Sequence, residues 1–116
     1  MVKILVVDDE IECGQEMALL IQSMGHKVLT ANSVGEAKKL ISKHKDLGLV
    51  VSEFCMMDGN GLEIIGYAKK TYPSIKTAIY TSINFDSIPV VRLDLLLRKG
   101  RDEKIIQESI SKLIKV

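Results

Sequence analysis

Residues 3–7, Lys-Ile-Leu-Val-Val, form a short, almost unbroken apolar run that stops at three acids, Asp8, Asp9 and Glu10. Such a run, apolar on both sets of alternating side chains, suits a strand buried on both faces. Helices must then cover it above and below, so the opening of the chain points to an α/β architecture.

The rest of the sequence keeps that rhythm. Residues 10–24 place Ile11, Met17, Leu20, Ile21 and Met24 at helical spacing, with Gly25 as C-cap. Lys27–Thr30 reads as a second strand. Ser33 followed by Glu36 is a capping-box pair, opening a helix with Ala37, Leu40 and Ile41 inward. Leu47–Ser52 is a third strand and ends at Glu53. Gly59 and Gly61 mark a turn, and Leu62, Ile65 and Ala68 lead a third helix that stops before Pro73. Lys76–Thr81 is a fourth strand and Leu93–Lys99 a fifth. Asp102 caps a last helix carrying Ile106, Ile110 and Leu113.

Strands alternating with crossover-length helices predict a parallel sheet covered on both faces. The expected fold is a three-layer, doubly wound (flavodoxin-like) five-stranded parallel sheet of order 2-1-3-4-5. One connection departs from it. Only Ser82–Arg92, interrupted by Pro89, joins the fourth and fifth strands, and a mid-helix proline costs about 3 kcal/mol. A shortened or irregular fourth helix is expected there.

The 116 residues make a single domain, 1–116. Sixteen Lys and Arg against fifteen Asp and Glu leave a net charge of +1, with 4% aromatics and no Trp. That balance argues against nucleic acid or a membrane surface held by bulk charge. The charge is uneven, however, with five acids among residues 8–16 and six basic residues from Arg98 onward. Two cysteines, Cys13 and Cys55, are too few for a disulfide scaffold. No stretch has the roughly 18–20 apolar residues of a membrane span, and the acids at 8–10 forbid a signal-peptide core. The expected location is the cytoplasm.

Ligands of doubly wound sheets bind beyond the carboxyl ends of the strands, where the winding direction reverses. Those ends carry Asp8 and Asp9 after the first strand, Glu53 after the third, Thr81 on the fourth and Lys99 after the fifth. With the first and third strands adjacent, three carboxylates, a hydroxyl and an ammonium should converge.

These residues carry a family resemblance across essentially the whole chain. Ile4-Leu-Val-Val-Asp-Asp-Glu10, Met56-Met-Asp-Gly-Asn-Gly-Leu-Glu63, Tyr80-Thr81 and Leu97-Arg-Lys99 resemble the receiver domain of bacterial response regulators, in the manner of the chemotaxis regulator. The 44 residues from Asp9 to Glu53 also fit. The resemblance implies that Asp8 and Asp9, with the residue at Glu53, hold Mg²⁺, bound weakly here if at all. It implies that position 53 is the phosphoacceptor, and that Thr81 and Lys99 contact the phosphoryl oxygens. Arg98 is a rival for the last role, but strand alternation favours Lys99.

The departures matter as much. The family's acceptor is Asp, and Glu53 is longer by a methylene, which moves the carboxylate roughly 1.5 Å outward. Misplacement on the order of 1 Å can cost an in-line reaction ~100-fold. Leu96 stands where the family often has an aromatic switch residue, Gly100 where a Pro commonly follows the Lys, and Met57 where a Pro is usual. The connection from Thr81 to Lys99 is about one helical turn short. Of the remaining residues, Cys55 reads as a small half-buried thiol, with redox sensing as the rival, and His26 and His44 as isolated surface groups.

The reading is a non-enzymatic, receiver-like signalling module of a two-component (phosphorelay) system, acting by protein–protein contact without phosphorylation. The alternative is a functional Mg²⁺-dependent phosphoacceptor domain. A haloacid-dehalogenase-type phosphatase would need a D-x-D arrangement that Asp8-Asp9-Glu10 does not supply. The expected partner is a histidine kinase, phosphotransfer or output protein, or a second copy through residues 83–99. Ile88, Val90 and Val91 are the candidate contacts, with packing on the sheet as the equal alternative; no nucleic acid and no membrane are expected.

Overall fold

The computed structural model describes residues 1–89 and 93–115. Five parallel strands form the main sheet: β1 (Lys3–Val7), β2 (Lys27–Ala31), β3 (Leu47–Ser52), β6 (Lys76–Thr81) and β7 (Leu95–Arg98). Their order, β2-β1-β3-β6-β7, is the doubly wound order expected from the sequence. Two further two-residue strands, β4 (Cys55–Met56) and β5 (Gly59–Asn60), pair antiparallel as a tight hairpin that the sequence pattern did not suggest.

Alternation along each strand divides the core between two layers. Leu5, Val7 and Val50 face α2 (Val34–Lys43) and α3 (Gly61–Thr71), where Ala37, Ile41, Ile64 and Ala68 meet them. Ile4, Val6, Leu49 and Val51 face α1 (Ile11–Gln22) and α4 (Glu103–Ile114), against Met17, Ile21, Ile106 and Ile110. Both alternating sets are buried, which is why the strand runs are continuously apolar. Ile11 is a correction: it is 56% exposed at the first position of α1 rather than on the inner face.

The helix ends obey local chemistry. Ser33 Oγ accepts from the Glu36 amide at 3.1 Å, while Glu36 reaches back to the Asn32 amide at 2.7 Å, completing the capping pair one residue earlier than the standard box. Asp102 caps α4 through the Lys104 amide. Asn60 caps α3 through the amides of Leu62 and Glu63.

No helix crosses from β6 to β7 among the described residues. A single 3₁₀ turn, Phe85–Ser87, takes its place. Ile88 packs with Ile65 and Ile79 in a third cluster joined by Phe54, Ile83, Phe85 and Leu96. At 5% exposure Ile88 is core, which decides for packing on the sheet over a contact surface; positions 90 and 91 lie outside the described residues. The fifth strand is shorter than expected, because residues 93 and 94 precede it as irregular chain.

Asp94 anchors that irregular entry. Its carboxylate accepts from the Thr77 amide at 2.9 Å and the Thr77 hydroxyl at 3.2 Å, and pairs with Lys69 at 2.9 Å. Its own amide donates to the Thr77 carbonyl. Burial pushes the Asp94 carboxyl up, but Lys69 and the Thr77 amide outweigh it and hold it below the usual range. A carboxyl lowered on folding stabilises above its unfolded pKa, and that contribution disappears as pH falls through the folded value. Asp94→Ala, which strands the Thr77 donors, should lose about 1–3 kcal/mol in urea unfolding at neutral pH. The gap between Asp94→Asn and the parent should close as the pH drops below about 4.

Candidate functional site

The parallel register carries the strand ends to one edge. Val7 pairs with Ser52, and Ser52 with Ile79, so Asp8 and Glu53 emerge side by side one residue later. Thr81 pairs with Arg98, and the Lys99 amide donates to the Thr81 carbonyl at 2.9 Å. Lys99 then reaches back across the edge. Its ammonium lies 2.9 Å from Asp8 Oδ2 and 2.8 Å from Glu53 Oε1. Both carboxylates are buried, 3% and 7% exposed.

The remaining oxygens are also engaged. Asp8 Oδ1 accepts from the Glu10 amide at 2.9 Å. Glu53 Oε2 accepts from the Phe54 amide and, at 3.2 Å, from the Cys55 amide. The longer acidic side chain thus folds back onto its own loop rather than projecting outward. Burial pushes Glu53 up, but Lys99 and then the Thr81 hydroxyl outweigh it, leaving the carboxyl below its ordinary value. Asp8 is raised, because burial exceeds what Lys99 and the Glu10 amide return. Burial alone would lower Lys99; its bonds to Glu53 and Asp8 raise it instead.

Arg98 lies apart from the cluster. It stacks over the Phe85 ring at 4.6 Å and takes no part in the carboxylate cluster. Gly100 has φ +87°, a left-handed turn that proline, with φ fixed near −65°, could not make.

Asp9 plays a different part. Its Oδ2 accepts from the Met57 amide at 3.0 Å, pinning the tip of the β4–β5 hairpin. Asp58 pins the other side, taking the amides of Val34 and Gly35 at 2.9 and 3.2 Å in the first turn of α2. Sequence reasoning missed this long-range cap; an acid directly before the turn glycines Gly59 and Gly61 was the signal available. Gly61 seals the base of the hairpin, because a Cβ there would strike the Glu53 carbonyl oxygen and the Ile79 side chain. Cys55 is exposed, not half-buried as expected. His26 and His44 are not idle surface groups: His26 Nδ1 accepts from the Val2 amide at 3.1 Å, and His44 Nδ1 lies 3.5 Å from Lys3 Nζ.

Mg²⁺ requires several oxygen ligands in near-octahedral array. Among the described residues no three His, Cys, Asp or Glu side chains gather into a metal-holding group. The ligand set expected from the sequence, Asp8, Asp9 and Glu53, is not assembled. Lys99 occupies two of these carboxylates and the Met57 amide the third. The donor set as folded does not fit the ion.

Removing Lys99 would leave two buried carboxylates without a cation. Lys99→Met should therefore destabilise by about 3–5 kcal/mol in urea unfolding. Adding Asp8→Asn and Glu53→Gln should recover a measurable part of that loss, because the uncompensated charges go with them.

The comparisons with known proteins show the family. The model for the response regulator receiver domain matches residues 4–95. A curated relative, the response regulator protein PilR of Pseudomonas aeruginosa, is 26% identical over 80 residues, covering 69% of this chain and 18% of that protein. The phyllosphere-induced regulator PhyR of Methylorubrum extorquens is 31% identical over 72 residues, 60% of this chain and 27% of that protein. The chain thus spans less than a third of the length of these two relatives. Among solved structures, the response regulator TrrA of Thermotoga maritima, in complex with Mg²⁺–BeF, superposes with a TM-score of 0.89. It is 26% identical, with 97% of this chain and 99% of that one covered. With these matches, the fold and the strand-end cluster of Asp8, Glu53, Thr81 and Lys99 place the chain in the response regulator receiver domain family.

Proposed function

We propose that this receiver domain works in two-component signalling as a pseudo-receiver, a non-enzymatic module that acts through protein contact without accepting a phosphoryl group. The carrying observation is the satisfaction of Glu53. Its carboxylate already takes the Lys99 ammonium and the Phe54 and Cys55 amides. Fixed donors of this kind are what a transferring phosphoryl group would need at its oxygens. A planar carboxylate folded back onto them leaves no nucleophile aimed outward. The partner class is a histidine kinase, phosphotransfer protein or output protein, or a second copy of this chain, met in the cytoplasm. Nucleic acid and membrane are not targets of this reading, and among the described residues no helix is long and apolar enough to cross a membrane.

One observation favours a second reading, a working Mg²⁺-dependent phosphoacceptor. Apart from position 53, the expected site residues Asp8, Asp9, Thr81 and Lys99 are all present at the strand ends. Glu53 would then have to leave Lys99 before it could react.

Intact-mass analysis after incubation with acetyl phosphate and Mg²⁺ separates the two. The parent should stay unmodified and Glu53→Asp should gain one phosphate. A phosphate on the parent would establish the second reading. Millimolar Mg²⁺ should move the thermal midpoint of the parent by less than about 1 °C, since a ligand that does not bind the native state does not stabilise it.

A further inference from the structure

The parallel topology sorts charge to the two ends of the sheet. Acids gather at the site end, with Asp8, Asp9, Glu10, Glu53 and Asp58 at strand carboxyl ends or in nearby loops and Glu12 in the first turn of α1. At the opposite end, lysines open the strands: Lys3 and Lys27 are register partners at the starts of β1 and β2, and Lys76 opens β6. Lys115 follows the end of α4 on that same side.

The two acids at that end are already committed. Asp46 pairs with Lys3 at 3.0 Å and Asp94 with Lys69 at 2.9 Å. Lys27, Lys76 and Lys115 are exposed and meet no carboxylate among the described residues. All four helices end at this pole, and their dipoles favour cations there. The three exposed lysines remain open to an outside carboxylate.

An apolar floor lies between two of these lysines. Val2, Gly48, Leu113 and Ile114 line a shallow groove of about 230 Å³, with Lys76 and Lys115 on its rim. Val2, Leu113 and Ile114 are the half-buried margin of the α1/α4 core layer. Lys27 adjoins the groove, since its amide donates to the Val2 carbonyl at 3.2 Å.

We propose that this groove docks an acidic polypeptide segment that inserts one aliphatic side chain between Lys76 and Lys115. Its volume is below the roughly 300–1,000 Å³ of small-molecule pockets, and suits a side-chain anchor. No aromatic residue lines it, so it offers no platform for stacking bases. Its apolar residues are half-buried and do not project, so they cannot enter a bilayer interface as an amphipathic helix does. Ammonium groups with no carboxylate partner among the described residues, set around an aliphatic floor, complement carboxylates flanking a Leu or Ile. The surface lies at the far end of the strands from Glu53 and does not depend on whether position 53 is phosphorylated.

Fluorescence anisotropy tests it with a fluorescein-labelled peptide of Glu and Asp around a central Leu. The peptide should bind the parent, and binding should weaken at least ~10-fold when salt is raised from about 0.01 to 0.15 M, as screening shortens from ~30 to ~8 Å. Replacing the central Leu by Ser should weaken it ~10-fold, about one buried aliphatic side chain's worth of contact. Lys76→Glu with Lys115→Glu should abolish binding with an unchanged circular dichroism spectrum, both residues being exposed. Lys38→Glu with Lys39→Glu, on α2, should leave binding intact. The proposal fails if the parent does not bind the peptide, or if the Lys76/Lys115 double variant binds normally while folded. It fails equally if phosphatidylserine vesicles or duplex DNA bind the parent more tightly than the peptide does.

Discussion

One ammonium group ties together three strands that are not all neighbours. Lys99 starts beyond β7, at one edge of the sheet, and lies over β6 to reach Glu53 after β3 and Asp8 after β1. Strands stand about 4.8 Å apart, so the side chain must run along the carboxyl edge rather than out from it. Thr81, at the end of the intervening strand, is small enough to lie beneath. The longer acid at position 53 shortens the gap from the other side. A buried ion cluster of this kind adds little net stability, because desolvation of three charges offsets their attraction. Its consequence is geometric: with one cation between two carboxylates, neither acid is free to swing outward without leaving the other pair incomplete.

The loops around the cluster follow from it. Glu53 takes the Phe54 and Cys55 amides, which turns the chain at once into the β4–β5 hairpin. Asp9 and Asp58 then fasten that hairpin to the β1 end and to the start of α2. Asp9, next to Asp8 along the chain, and Asp58, in the hairpin itself, thus brace the loop. The ion cluster and the bracing of its surroundings use different carboxylates drawn from the same two strand ends.

The order of strands and the residues at their ends were readable in advance, because unbroken apolar runs such as Leu47–Ser52 have one consistent place in a covered parallel sheet. Asp102 and Ser33 were readable as caps because their bonds reach only two or three residues along the chain. What escaped was long-range. Asp58 caps a helix 23 and 24 residues away, and Asp94 grips Thr77 17 residues back, and no periodicity encodes either. Ile88 was left open between a contact surface and the sheet for a related reason. With Pro89 beside it the segment has no helical repeat from which to read an inward face, and tertiary packing alone buries it. The double pairing of Lys99 with Asp8 and Glu53 was not legible either, because it depends on how far one side chain reaches across the sheet edge.

The short return from β6 to β7 restricts how such a module could signal. A switch needs an element with two packed arrangements of similar energy, biased by the site. Here the connection closes over Ile65 and Ile79 with Ile88, and Phe85 lies under Arg98 of β7 itself. Moving it would expose the apolar margin of the sheet and lift the ring from the guanidinium. The residue three before Lys99 is Leu96, packed in that same cluster and lacking the polar handle by which a tyrosine could exchange one partner for another. Signalling by contact does not require such motion. It requires surfaces held in fixed relation, and a sheet whose carboxyl edge is bound by Lys99, with a hairpin braced at both sides, supplies that rigidity. Beside that edge Met57 and Ile11 are exposed, so a partner that reads the rigid edge would meet them first.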